Sequence, residues 1–398
     1  MKSNTHSIKI GICSPLSICE FLPYLDEDSR RKATGLQGYL APSVDALVHR
    51  YIAMEHDVVV FTLTPEVAQN IVLTGKHLRI YVGKYRKRGF LRSYTLFFNE
   101  IMILRRFILN EPNLDVIHAH WTYEFAIASL AAKCPVFCTV RDVAEEILKM
   151  MPTFYRRARM WMNWYVLKRD DRINFIANSP YTKSLLLRYH PKLRITTVIP
   201  NPCGIKPICE LPDTIEDSLR SPMVVSVSHG SGTLKNIDLL VNVFQYVRRE
   251  VPQAELHLVG GAFTPEKWGS RPVPPGVVLR GHVPHAELPV ILASATLMVH
   301  PSLEESFGNT LIEAMACGVP VLGGEKSGAV PYVLDNGNAG ALCDVTDGNV
   351  LASAIVALLK DPVSRRRLSL AGLARVRNVF SVEAVCDKTV ELYKSKMT

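Results

Sequence analysis

His300-Pro301-Ser302-Leu303-Glu304-Glu305-Ser306-Phe307-Gly308-Asn309-Thr310-Leu311-Ile312-Glu313-Ala314-Met315-Ala316-Cys317-Gly318-Val319-Pro320-Val321-Leu322 reads as strand end, polar loop, short helix, glycine stop and new strand. The apolar run over residues 296–299 supplies a buried strand, and Asn309 or Ser306 is placed to cap the helix that follows. Gly318 and Pro320 stop that helix, and residues 319–322 enter the next strand. Two carboxylates, Glu305 and Glu313, frame the loop. A helix N-terminus binds anions such as phosphate, whereas carboxylates beside it are poor phosphate ligands and good acceptors for hydroxyls. A ligand that carries both phosphates and sugar hydroxyls meets both requirements.

Working outward, the same alternation of strand and helix runs through the chain. In the first half, strands are expected over residues 8–13, 57–63, 80–82, 115–118, 136–139, 174–177 and 197–199. Helices fall between them, among them one over residues 90–109 and one over residues 155–169. Pro200-Asn201-Pro202-Cys203-Gly204-Ile205-Lys206-Pro207 breaks the pattern and leads through an acidic stretch to Pro222, which reads as a linker. A second series follows, with strands over 223–227, 255–259, 277–279, 296–299, 319–322 and 340–342. The fold class is therefore α/β, with two tandem doubly wound, Rossmann-like domains over residues 1–205 and 206–378. A closing helix over 379–398 is expected to pack back on the first domain, and the carboxyl ends of both sheets are expected to border an interdomain cleft.

With 398 residues, the chain is too long for one comfortable core. No apolar run approaches the ~18 residues of a membrane-spanning helix, and no signal peptide is read ahead of the first strand. Its 9 cysteines, without Cys-x-x-Cys spacing, point to reduced thiols and a cytoplasmic setting. The net charge of +9 is uneven, since residues 1–205 hold 28 Lys and Arg against 17 Asp and Glu, and the remainder 18 against 20. A basic half suggests a polyanionic or anionic-membrane partner, with a solvated basic surface that has no partner as the other reading. No nucleic-acid module accompanies it, which excludes nucleic acid as the expected partner.

The segment from Glu305 to Ala316 resembles the Glu-x7-Glu motif of family 4 retaining glycosyltransferases, which have the GT-B fold. The likeness covers most of the chain, most closely residues 223–347. The resemblance implies a nucleoside-diphosphate sugar as donor, with Glu305 on the hydroxyls of the donor sugar and Glu313 on the ribose. It also places Ser306, Phe307, Gly308 and Asn309, chiefly through backbone amides, near sugar and phosphates. Ser226-Val227-Ser228-His229-Gly230-Ser231-Gly232-Thr233-Leu234-Lys235 is similar to the family's diphosphate-binding loop. Lys235 matches its lysine, but Ser228, His229 or Gly230 stands where an arginine is expected, so His229 is the candidate substitute. The family resemblance implies no metal and no cofactor, and a front-face transfer in which the leaving phosphate helps to accept the acceptor's proton.

Asp115-Val116-Ile117-His118-Ala119-His120-Trp121 ends a strand with two histidines on one face of an extended chain. A metal pair lacks a third ligand with suitable spacing. The resemblance instead puts His120 at the reaction centre, and a plain hydrogen-bonded strand-end histidine is the remaining reading. After the next strand the family usually has His-Asp, and here Arg141-Asp142 stands, with Arg141 either holding an anionic part of the acceptor or pairing with Asp142. Gly35-Leu36-Gln37-Gly38 resembles the family's glycine-rich turn, where backbone approaches donor phosphate and acceptor; either glycine fits that place, and Gly38 is the candidate. Asn178-Ser179 and Pro200-Asn201 read as scaffold.

Lys84-Tyr85-Arg86-Lys87-Arg88-Gly89-Phe90-Leu91-Arg92 and the segment from Phe154 to Tyr165 interleave cations with aromatic and aliphatic residues. Such a pattern fits either a peripheral membrane contact or a core helix with snorkelling arginines. The expected function is transfer of a sugar to a glycan or glycolipid acceptor, for example a lipid-linked bacterial polysaccharide such as an O-antigen, at the inner face of the membrane. A nucleotide-sugar epimerase on the same fold and a non-catalytic nucleotide-sugar-binding subunit are the alternatives.

Overall fold

The computed structural model describes residues 7–86, 89–210, 222–228, 230 and 232–397. The chain divides into two compact units, Met1–Gly204 with Val385–Thr398, and Ile205–Ala384. The expected boundaries lay at 205/206 and 378/379. Part of the linker reading, residues 211–221, lies outside the described residues, as do Lys87 and Arg88 of the first basic stretch.

The first unit is built on β1 (Lys9–Cys13), β2 (Asp57–Thr64), β3 (Ile71–Gly75), β4 (Leu78–Lys84), β5 (Val116–His120), β6 (Val136–Val140), β7 (Ile173–Ala177) and β8 (Ile195–Val198). They form one sheet in the order β3-β4-β2-β1-β5-β6-β7-β8. Every pairing is parallel except that of β3 with β4. Helices cover the sheet, so the central strands are apolar without alternation, and Ile10, Ile12, Cys13, Val116, Ile117 and Ala119 are all buried. The order reverses between β1 and β5, where connections leave to opposite sides and a crevice opens at the carboxyl ends of the strands.

Two expectations for this unit are corrected. The antiparallel β3 had no counterpart in the sequence reading, because Leu73 is its one buried residue and it carries no long apolar run. The helix expected over 90–109 is two, Gly89–Tyr94 and Phe98–Asn110, broken where Leu96 and Phe97 take positive φ of 45° and 57°. The break turns Phe97 inward, where its fully buried ring meets Tyr155 edge-on at 6.2 Å.

The second unit holds β9 (Met223–Val227), β10 (Glu255–Val259), β11 (Val277–Gly281), β12 (Leu297–His300), β13 (Val321–Gly324) and β14 (Ala341–Cys343). Their order, β11-β10-β9-β12-β13-β14, is the doubly wound 3-2-1-4-5-6 arrangement with its reversal between β9 and β12. Leu240, Phe244 and Val247 of the helix Ile237–Glu250 pack with Ile355 of the helix Gly348–Lys360 on one face of this sheet. A π-helical turn, Val376–Phe380, continues the helix Pro362–Arg375, and Ser381 separates it from the last helix, Val382–Met397. From Val385 onward that helix belongs to the first unit, with Tyr393 fully buried beside His118, Phe137 and Tyr51. Among the described residues, no helix is long and apolar enough to cross a membrane.

Candidate functional site

The reversal between β9 and β12 sets the polar cluster of the second unit. Two loops leave the carboxyl ends of these adjacent strands, and Leu303 N donates to Leu234 O at 2.8 Å to tie them together. A short 3-10 turn, Thr233–Lys235, and the left-handed Asn236 aim Lys235 across the crevice. Its Nζ lies 2.5 Å from Glu305 Oε1, which also takes His300 Nε2 at 3.1 Å. Thr310 Oγ1 approaches the other nitrogen of His300 at 3.4 Å. Burial works against ionisation of Glu305, but the hydrogen bond and charge of His300 and Lys235 overcome it and hold the carboxyl down at about 2. The cluster thus pairs a carboxylate with an ammonium, and each can exchange the other for a ligand group.

Glu313 lies on the second turn of the helix Asn309–Ala316, buried, with His285 Nε2 at 3.2 Å from Oε1. The cap of this helix is Gly308, not Asn309 or Ser306. Its φ of 92° favours glycine, and a Cβ would stand 2.7 Å from Leu311 Cδ1, so no residue with a capping side chain fits there. Phe307 contributes no side chain to the crevice, because its ring is buried edge-on against Phe380 at 5.6 Å. His229 lies outside the described residues. Beside it, Ser228 is buried and donates its hydroxyl to Gly230 O at 2.7 Å.

At the reversal between β1 and β5 of the first unit, the sequence-selected residues form a second cluster. His118 and His120 stack with ring centroids 4.4 Å apart. His118 is held at both nitrogens, by Tyr393 Oη at 2.6 Å and Thr139 Oγ1 at 2.8 Å, and burial lowers its pKa to about 3. His120, also fully buried and driven well below its ordinary pKa chiefly by burial, faces Arg141 through Nδ1 at 3.1 Å from Nη2. A guanidinium only donates, so Nδ1 accepts and Nε2 carries the proton. That Nε2 is buried and has no hydrogen-bond partner among the described residues. Arg141 also donates to Asn201 Oδ1 at 2.6 Å, and Asp142 accepts from Tyr123 Oη at 2.9 Å. Asn201 therefore braces the arginine, and Ser179 caps the helix Pro180–Tyr189. Gly38, at φ 78°, presses so closely that a Cβ would meet Leu16 O at 2.3 Å. The amides of Gln37 and Gly38 both donate to Glu66 Oε2, at 3.0 and 2.8 Å, an arrangement in which backbone donors hold a carboxylate.

Residues 41–204 match the family described as Glycosyltransferase Family 4, and residues 221–361 match Glycosyl transferases group 1. A glycogen synthase of Mycobacterium tuberculosis is 32% identical over 289 residues, 70% of this chain and 68% of that one. The chain belongs to glycosyltransferase family 4. This glycosyltransferase is also 36% identical over 114 residues to the Escherichia coli O-antigen chain mannosyltransferase B, a match that spans 29% of each chain. Among solved structures, the sucrose-phosphate synthase of Thermosynechococcus elongatus superposes with a TM-score of 0.74 at 22% identity, covering 98% of both chains, and it shares the GT-B fold.

Of the residues selected from the glycosyltransferase's sequence, Lys235 and Glu305 meet directly, Glu313 stands on the helix that Gly308 and Asn309 open, and His120 and Gly38 flank the reversal in the other unit. His300 and His285, the partners of the two acids, were not selected. Both follow or end a strand at its carboxyl edge, a position that offers a signal only after the strand order is known.

Proposed function

We propose that this glycosyltransferase is a retaining, metal-independent enzyme that moves a sugar from a nucleoside-diphosphate sugar to a hydroxyl of a glycan or glycolipid. The Lys235–Glu305–His300 cluster at the β9/β12 reversal carries the reading. The ammonium and the carboxylate satisfy one another. A bound donor separates their tasks, with a diphosphate oxygen taking Lys235 and sugar hydroxyls donating to Glu305. Glu313, oriented by His285, accepts the ribose hydroxyls. Negative charge grows on the leaving diphosphate, so Lys235 and the first amides of the helix Asn309–Ala316 stabilise the transition state more than the ground state. His120 presents Nε2–H as a fixed neutral donor to a sugar oxygen. The leaving phosphate itself receives the acceptor's proton, since no side chain in either cluster is placed as a covalent nucleophile in this reading.

The acceptor reading draws on the relative that acts on an O-antigen chain and on the aromatic and cationic face of the first unit. We place the enzyme peripherally on the inner face of the membrane. Lys235→Ala and Glu313→Ala are expected to keep circular dichroism and cooperative unfolding while transfer from a donor panel falls at least a hundredfold, about 3 kcal/mol of transition-state binding. Turnover within threefold of the parent in both variants would overturn the assignment.

A further inference from the structure

His300 ends β12, and its Nε2 lies 3.1 Å from Glu305 Oε1, the oxygen that also takes Lys235. Both contacts fall on Oε1, and among the described residues no hydrogen bond reaches Oε2. One carboxylate oxygen thus serves two partners, while its twin keeps its lone pairs for a ligand hydroxyl. The two partners differ in freedom. The Lys235 side chain is 32% exposed on a flexible stem, whereas that of His300 is 5% exposed and fixed at a strand end.

Burial works against the charge of Glu305, and removal of one member of such an ion pair leaves the other charge uncompensated. A diphosphate that draws Lys235 to itself imposes that loss. His300 is the partner that stays, and imidazole is the side chain that gains a charge near neutrality.

The surroundings of the ring suit both charge states. In the neutral ring Nε2–H donates to Glu305, so Nδ1 accepts, and Thr310 Oγ1 stands 3.4 Å away as its donor. In the imidazolium both nitrogens donate, and the same hydroxyl accepts, since a threonine hydroxyl serves in either role. Thr310 lies on the first turn of the helix Asn309–Ala316, which holds that hydroxyl in place. Among the described residues, the charged groups paired in this cluster are Glu305 from the loop after β12 and Lys235 from the turn after β9, while β13 brings only Gly323 opposite His300. His118 of the first unit supplies the contrast. Hydroxyls of Tyr393 and Thr139 hold both its nitrogens, no carboxylate pairs with it among the described residues, and burial keeps it neutral.

We propose that His300 is a positioning residue that takes over from Lys235 as the charge partner of Glu305 when a donor binds. As the diphosphate draws Lys235 away, the ring takes up one proton from solvent at Nδ1 and holds the carboxylate as an imidazolium, which leaves Oε2 to the sugar hydroxyls. One positive charge passes from Glu305 to the diphosphate and one arrives from water, and no bond other than the new N–H is made. The departure of Lys235 rests on the donor reading above, and the proton rests on the geometry around His300. Donor binding therefore tightens as pH falls through neutrality, because the bound state holds one proton more than the free state.

The test is calorimetric titration of the full chain with UDP-glucose, GDP-mannose and ADP-glucose, without acceptor, in buffers of different ionisation enthalpy. Their diphosphates are diesters that do not titrate near neutrality, so a buffer-dependent binding enthalpy reports a proton taken up by the protein. At pH ~7 the parent is expected to take up at least half a proton per donor bound, and its affinity to rise at least fivefold from pH ~8 to pH ~6, within the limit of about tenfold per pH unit for one linked proton. His300→Gln keeps a donor to Glu305 and cannot take up the proton. It should still bind, with no buffer dependence and less than a twofold change over the same pH range. Thr310→Val, which removes the acceptor for Nδ1–H, should at least halve the uptake. If His300→Gln fails to fold, the parent's buffer series and Thr310→Val decide. Donor binding to the parent without proton uptake, or uptake in His300→Gln equal to the parent's, overturns the proposal and leaves the donor reading standing. No binding across the panel overturns the donor reading and the proposal with it, so the two failures are distinct.

Discussion

Glu305 shows how much of a site is visible one residue at a time. Its adjacency to Ser306, Phe307 and Gly308 and its spacing from Glu313 are written in the sequence, and the acid does lie at the crevice end of β12. Its charge state is not written there, because Lys235 is 70 positions away and reaches it only through the β9/β12 neighbour relation. His118 illustrates the same limit, since Tyr393, which fixes its ring, is 275 positions away. The paired state of Glu305 has a consequence for stability. Its folded carboxyl titrates at about 2 against an ordinary 4.5, so the unfolded chain takes up the proton first as pH falls. The stabilisation is complete above pH ~4.5 and is lost on descending toward pH ~2, with on the order of 3 kcal/mol at stake. Glu305→Gln is expected to lower the midpoint of the second unit at pH 7 and to flatten its acid dependence below pH ~4.5. Calorimetric scans across pH 2–7 measure both, and parallel acid slopes in parent and variant would contradict the pairing.

Elements were legible in proportion to how much apolar surface they bury. The central strands of both sheets are covered on two faces and announce themselves as continuous runs of Val, Ile and Leu, whereas the edge strand β3 and the break at Leu96-Phe97 are set by tertiary contacts of a few residues. The helix Phe154–Leu167 combined both situations. Its sequence left core packing and surface exposure open, and the structure resolves the two faces: Ala158, Met162, Val166 and Leu167 are buried, while Trp161, Trp164 and Tyr165 are exposed. Lys168 lies over the Trp164 ring at 3.6 Å and Arg169 over Tyr165 at 4.7 Å, so cations accompany the outward rings. In the peripheral membrane contact proposed above, such a helix would put its rings into the headgroup layer while its cations stayed with anionic headgroups. Cosedimentation with vesicles containing phosphatidylglycerol is expected to be strong at low salt, weaker at 0.5 M salt, and reduced at least fivefold by the double change Trp161→Ala and Trp164→Ala. Equal binding to neutral phosphatidylcholine vesicles by parent and double variant would remove this helix from membrane contact.

At the scale of the whole molecule, the chain returns to its beginning. Val385, Cys386, Val390 and Tyr393 of the last helix are buried as part of the first unit, although residues 205–384 intervene. Each fully buried apolar side chain contributes about 1.5–3 kcal/mol. Together they amount to a large part of the ~5–15 kcal/mol that separates a folded domain from its unfolded chain. The second unit draws none of its strands from this segment. Removal of Val385–Thr398 is therefore expected to abolish the cooperative transition of the first unit while the second still melts cooperatively and still gains stability from a nucleoside diphosphate, by about 2.7 kcal/mol at a hundredfold excess over Kd. Tyr393→Phe separates packing from hydrogen bonding, because it keeps the ring against Phe137 at 4.9 Å and removes only the hydroxyl that meets His118 and Tyr51. It should cost the first unit about 1–3 kcal/mol, the penalty for an unsatisfied buried polar group, and leave nucleotide binding intact. Calorimetry with and without UDP or GDP reads all of these shifts in one set of scans. Loss of the nucleotide-dependent transition on truncation would mean that the last helix supports both units, and the assignment of that helix to the first unit's stability alone would fail.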